Sequence, residues 1–292
     1  MERSPFLKQM AMAAAFSGSI SLTGLANELT NLSPSGVRMP ALFIGHGNPM
    51  NAILDNAFTK SMHKLALNLP KPQAILCVSA HWLTRGTSVN ASVRPRMIYD
   101  MYGFPEDLYK VSYPAPGSPD MAALVKALVT KAEVKIDQEW GYDHGCWMVM
   151  KLLYPEATIP VFQMSIDIEK PSAYHFELAR ELRSLRDKGV LIIGSGNIVH
   201  NLRMVDMAHE DAHYDWAMEY DSKVKSWLDT GDFNSVLAYE KAGKAAQLSV
   251  PTPDHFYPLA YTLGIAYPNE LLSYPFEGLQ HGSISMRSVR IG

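Results

Sequence analysis

Four short apolar runs constrain this chain more than any other feature. They are residues 41–45, 74–80, 159–166 and 190–193, rich in β-branched side chains. A run that is apolar at consecutive positions has no polar side to turn to water, so each reads as a strand covered on both faces. Residues 58–69, 119–131 and 173–188 between them carry helical spacing, with Pro119 placed as a first helical residue after Ser118 and Gly189 placed as a terminator. The βαβ spacing predicts an α/β fold: a single domain with a mixed, mostly parallel central sheet flanked by helices. Further helices are expected over 146–153, 216–228, 236–246 and 255–266, and further strands over 88–93, 271–276 and 283–291. Residues 94–117, dense in Pro, Tyr and Gly, read as a long loop over one face, of the kind that lines sites.

The remaining bulk properties mostly exclude. A net charge of −3 in 292 residues offers no basic face for nucleic acid or an anionic membrane. Cys77 and Cys146 cannot build a disulfide framework and read as packing residues. Residues 1–37 stand apart as a leader or disordered N-terminal segment, ahead of a domain over 38–292. Arg3 and Lys8 precede a mildly apolar stretch, 11–26, that ends in Gly24-Leu25-Ala26, the pattern of a secretory leader. That stretch is too short and too polar for a membrane span.

The chemistry lies in histidines at expected element boundaries. His46 stands in Gly45-His46-Gly47-Asn48-Pro49, His81 in Ser79-Ala80-His81-Trp82, His200 in Asn197-Ile198-Val199-His200-Asn201, and His255 in Pro253-Asp254-His255. The first three follow apolar runs, whose carboxyl ends face the ligand crevice in an α/β sheet. His144, in Asp143-His144-Gly145-Cys146-Trp147, has the same Gly-flanked loop character. Convergent neutral imidazoles bind a transition metal, whereas a lone His beside Gly is a turn residue; spacing alone leaves both readings open. His255, expected in the first turn of a helix, is favoured in its neutral form there. His209-Glu210-Asp211-Ala212-His213 spells a zincin string, but its acidic surroundings and missing third ligand make it a solvated face or loop. His63 and His175 are expected at the surface of amphipathic helices, and His281 in a turn. Gly194-Ser195-Gly196-Asn197 lacks the Lys of a phosphate loop, and Ser195 lacks the Gly-x-Ser-x-Gly elbow of a serine hydrolase.

From about Arg38 onward the chain resembles the 4,5-DOPA extradiol dioxygenase family, a branch of the LigB-type ring-opening dioxygenases. The resemblance is carried by Met39 through Met50, by Val78-Ser79-Ala80-His81-Trp82, and by Tyr113-Pro114-Ala115-Pro116-Gly117-Ser118-Pro119. It continues through Trp140-Gly141-Tyr142-Asp143-His144-Gly145, Ser195 through Leu202, and Pro251-Thr252-Pro253-Asp254-His255. It implies a divalent metal held by His46, His81 and His255, with His200 as a fourth ligand or the acid/base and His144 beside the substrate. It also implies a small catechol and O2 as partners, no nucleic acid, no membrane span and an undetermined oligomeric state. The wider family places Glu where this chain has His255, and an all-nitrogen donor set suits Zn2+ as well as Fe2+. The resemblance implies a cytoplasmic enzyme, or a periplasmic one if residues 1–26 act as a signal peptide. A zinc hydrolase on the same scaffold and a non-catalytic metal or small-molecule binder are the alternative functions.

Overall fold

Side chains along the buried strands alternate between two cores, and this places the helices. In the computed structural model, which describes residues 37–292, Ala41 and Phe43 pack with Leu76, Val78 and Ile192 on one side of the sheet. Leu42 and Ile44 pack with Ile75, Cys77, Leu191 and Ile193 on the other. Period-two alternation of wholly apolar strands leaves two greasy faces, each of which must be covered.

The sheet runs β4-β3-β5-β2-β6-β1-β10-β7. Its members are β1 (Ala41–Gly45), β2 (Ala74–Thr84), β3 (Thr87–Asn90), β4 (Val134–Asp137), β5 (Val161–Asp167), β6 (Val190–Gly196), β7 (Leu272–Phe276) and β10 (Ser288–Ile291). The central strands β5, β2, β6 and β1 are parallel, whereas β10 runs against β1 and β7, and β3 runs against β5. The fold is therefore the mixed, mostly parallel α/β domain expected. A small ribbon of β8 (Leu279–Gln280) and β9 (Ile284–Ser285) lies apart from this sheet.

One core takes in α3 (Pro119–Leu128), α5 (Ser172–Leu182), α6 (Asp215–Asp229) and α9 (Tyr257–Gly264). The other takes in α1 (Ala57–Leu67) and α4 (His144–Leu153), together with Tyr113 from the long loop. Their starts are chemically marked. Asn56 and Thr59 exchange side-chain bonds with each other's backbone at the head of α1, and Asp143 caps α4 by accepting from Cys146 N at 3.0 Å. Cys77 and Cys146 are buried free thiols.

Several expectations need correction. The single helix predicted over 236–246 is broken into α7 (Phe233–Leu237), a 3-10 turn and α8 (Lys244–Ser249), because Gly243 adopts φ +93° between them. The helix predicted over 173–188 tightens to a 3-10 turn after Leu182 before Gly189 ends it at φ +77°. Within that turn Arg186 is buried, donating to the carbonyls of Met39, Ile265 and Ile291 and gripping Glu270 through two 2.7 Å bonds. Strand β4 and the short α2 (Glu106–Tyr109) inside the 94–117 loop carry no periodic signal long enough to predict. The leader expectation lies outside the described residues except for Val37. Among the described residues no helix is long and apolar enough to cross a membrane.

Candidate metal centre

The carboxyl ends of β1 and β6 are pinned together, and they carry the site. His46 follows β1 directly, and its N–H donates to Gly196 O at 3.1 Å. The next residue along, Asn197, donates to His255 O at 2.8 Å, which draws the turn before α9 onto the sheet. A side chain at Gly196 would meet that same His255 carbonyl at 2.2 Å, so only glycine permits the approach. His81 lies on β2, which runs past the predicted end of the strand, and His200 is held by its N–H to Ser249 O at 2.8 Å. His144 is expected in a loop but is the first residue of α4, because the Asp143 cap starts the helix two residues earlier than the 146–153 expectation.

These elements bring one nitrogen each of His46, His81 and His255 within 4.8 Å of one another. His46 Nε2 and His81 Nε2 stand 3.3 Å apart. Two nitrogens bound to one ion at about 2.0–2.1 Å and a tetrahedral angle would be separated by about 3.4 Å, so the spacing fits a shared cation. The tautomers follow from the outer partners. Ser195 Oγ donates its single proton to Gly145 O at 2.6 Å, so the 3.0 Å contact from His46 Nδ1 must carry the imidazole's proton. That leaves His46 Nε2 as a lone pair. His255 Nδ1 bonds the Asp254 carboxylate, and its Nε2 is buried with no hydrogen-bond partner. A buried imidazole lone pair without a donor is costly unless something electropositive meets it.

Electrostatics favour the neutral form of two of the proposed donors and of His200. Burial first, and neighbouring imidazoles second, push His46, His81 and His200 well below the ordinary value of 6.5. Burial raises the Asp254 carboxyl, but the hydrogen bond and charge of His255, with hydrogen bonds from Thr252 and its own backbone, together hold it below the usual carboxylate range. His200 stacks face to face on His255, with ring centroids 3.4 Å apart and planes 8° apart, and so sits at the flank of the trio.

Asp100, which the sequence reading missed, joins the group from the long loop. Its Oδ1 accepts the His144 N–H at 2.8 Å and its Oδ2 lies 3.2 Å from His81 Nδ1. His144 Nδ1 lies 3.1 Å from Oδ1 but makes no aligned hydrogen bond. A lone carboxylate among Met, Tyr and Phe was the only signal available for it. A cleft of about 310 Å³ opens over the histidines, walled by Met101, Phe104, Val205 and Ile284 and closed on one side by His281. Tyr102, Leu202 and Met207 stand at its mouth with 89%, 66% and 67% of their surface exposed. The space suits a small aromatic molecule. His281 keeps the turn role expected, at φ +53°. The 209–213 string is an exposed turn far from helical, with His209 paired to Asp206, and its zincin reading ends there. His63 is exposed as expected, but His175 is not: it is fully buried against Tyr257 and Tyr261.

Residues 41–281 match the family described as the catalytic LigB subunit of aromatic ring-opening dioxygenase. The chain belongs to the LigB family of extradiol ring-opening dioxygenases. It is 47% identical to the 4,5-DOPA dioxygenase extradiol of Escherichia coli K12, over 88% of this chain and 96% of the relative. It is 38% identical to the protein of the same name from Beta vulgaris, over 85% of this chain and 96% of the relative. A crystal structure of an Escherichia coli K12 protein superposes with a TM-score of 0.77 at 45% identity, covering 87% of this chain and all of that one. Membership of the LigB family makes this an enzyme of the aromatic ring-opening class and agrees with the His-rich cluster as a place for a metal ion.

Proposed function

We propose that this LigB-family enzyme opens the ring of a catechol such as DOPA beside its diol, with O2 as co-substrate, and that His46, His81 and His255 hold its divalent metal. The reading rests above all on three imidazoles that each bring one nitrogen to a common point while their other nitrogens face Ser195, Asp100 and Asp254. Bound there, iron(II) would supply the meeting point for diol and dioxygen and the electron exchange between them, which zinc cannot. The protein's own groups do the rest. Met101, Phe104, Val205 and Ile284 clamp the ring and keep water off it. His200, neutral and at the flank of the trio, takes a proton from a catechol hydroxyl and returns it later. His144 hydrogen-bonds the oxyanion that develops on the substrate. The product is a semialdehyde acid, which for DOPA would be seco-DOPA.

The all-nitrogen donor set keeps a zinc hydrolase as the second reading. Oxygen uptake with catechols after anaerobic Fe(II) loading separates them. The proposal expects uptake that requires iron and yields a yellow product, and none with zinc. Oxygen-independent hydrolysis by zinc-loaded protein would replace it. His200→Ala is expected to keep its metal and lose at least a hundredfold in turnover; loss of the metal itself would make His200 a ligand.

A further inference from the structure

The three proposed donors do not share one kind of support. His46 leans on a serine and His255 on a carboxylate from its own turn, both through hydrogen bonds already made. His81 faces Asp100, which belongs to the substrate-lining loop instead of the sheet. To present its Nε2 lone pair beside that of His46, His81 must carry its proton on Nδ1. That atom is the one 3.2 Å from Asp100 Oδ2. Asp100 is also the one carboxylate among the described residues lining the cleft, and its side chain is 24% exposed.

The carboxylate is not free to wander. Its Oδ1 is tied to the His144 N–H at 2.8 Å, at the head of α4. The loop that bears it is anchored on both sides, by Ile98 N to Tyr142 O at 2.8 Å, by Trp147 Nε1 to Ile98 O at 3.1 Å, and by Tyr99 OH to Val111 O at 2.6 Å. Gly145 packs beneath, where any side chain would meet His81 Cδ2 at 2.8 Å. His81 is thus gripped from below by the helix and addressed from outside by one acceptor.

We infer that Asp100 is a positioning residue of the metal centre, fixing the His81 tautomer and tying the substrate loop to the donor set. This rests on His81 being a donor. The role depends on two acceptor oxygens. One accepts the His144 amide at 2.8 Å and the other lies 3.2 Å from His81 Nδ1, close enough to take its proton once the ring is turned to a metal. An amide of the same shape supplies only one acceptor. With the acceptor kept on His144, its NH2 faces His81 and favours the opposite tautomer, turning the lone pair away from the ion.

The test is Zn2+ affinity of the metal-free protein, read by competition with a chromogenic chelator. Asp100→Asn and Asp100→Ala are each expected to bind Zn2+ about 10–100-fold more weakly than wild type. Tyr99→Phe, which loosens the same loop without touching the carboxylate, is expected to bind within about twofold. Nitrogen-15 shifts of the zinc-loaded wild type should show His81 protonated at Nδ1. Wild-type affinity in Asp100→Asn would overturn the inference, as would an equal loss in Tyr99→Phe, since loop packing would then suffice. His81→Ala keeps the two levels apart. If it also binds Zn2+ normally, the donor set itself is wrong; if it alone loses the ion, only the role of Asp100 falls.

Discussion

The hydroxyl of Ser195 has one proton, and the carbonyl of Gly145 takes it. His46 Nδ1 therefore donates, and the nitrogen facing the cleft is left bare. Ser195→Ala should remove that constraint and weaken Zn2+ binding about tenfold in a chelator competition, with little change in melting temperature. Gly145→Ala should act from the opposite side, by pushing Ser79 Oγ and His81 apart from contacts of 2.6 and 2.8 Å, and should lower Zn2+ affinity as well. The histidines were legible because each sits where an apolar run stops or a Pro-rich turn begins. The partners that set their tautomers were not. Ser195 reads only as part of a Gly-rich strand end, and Asp100 lies in a loop with no period, so nothing in the local pattern says which distant ring either one will meet.

At the scale of elements, α5 and α9 meet through His175. Its Nδ1 lies 3.1 Å from Tyr261 OH, its Nε2 has no partner, and burial lowers its pKa to about 4. The sign follows from linkage. The folded protein keeps this imidazole neutral while the unfolded chain protonates it near 6.5, so stability is lost as pH falls from 6.5 towards 4 and levels off below. The loss attributable to His175 is roughly 3 kcal/mol. Urea unfolding of His175→Phe against wild type at several pH values should show the two curves converging or crossing on the acid side. The sequence placed this residue at the surface because α5 is amphipathic and His counts as polar. The two tyrosines that cover it come from a helix eighty-odd residues later, beyond the reach of any window (roughly 15 residues) used to read periodicity. The head of α4 offers a second check. Asp143 accepts from Ser79, Gln163 and Cys146 N, and Asp143→Ala would leave the Ser79 and Gln163 donors buried and unpaired and Cys146 N with only its bond to the Asp143 carbonyl. We expect a loss of about 2–4 kcal/mol in unfolding free energy.

Across the whole molecule, what holds the sheet together and what equips the site lie at opposite ends of the same strands. Arg186 ties the start of β1, the end of α9, the last residues of β10 and Glu270 into one knot, away from the carboxyl ends that carry the histidines. Arg186→Ala should cost about 3–5 kcal/mol by stranding Glu270 and three carbonyls, yet leave Zn2+ affinity of the surviving folded protein within about twofold. The α/β architecture was readable from four apolar runs because a strand buried on both faces advertises itself. The antiparallel additions were less so, since β3 and β10 are four residues each and their pairing is decided by neighbours far along the chain.

The proposed donors come from the beginning, the first third and the far end of the folded region, and the last of them reaches the others only when the turn before α9 docks on Asn197. A nascent polypeptide would hold two of its three imidazoles long before the third is made, and two are a poor trap for a divalent ion. Assembly of the proposed centre is thereby deferred until synthesis has passed His255 and the sheet has closed around it.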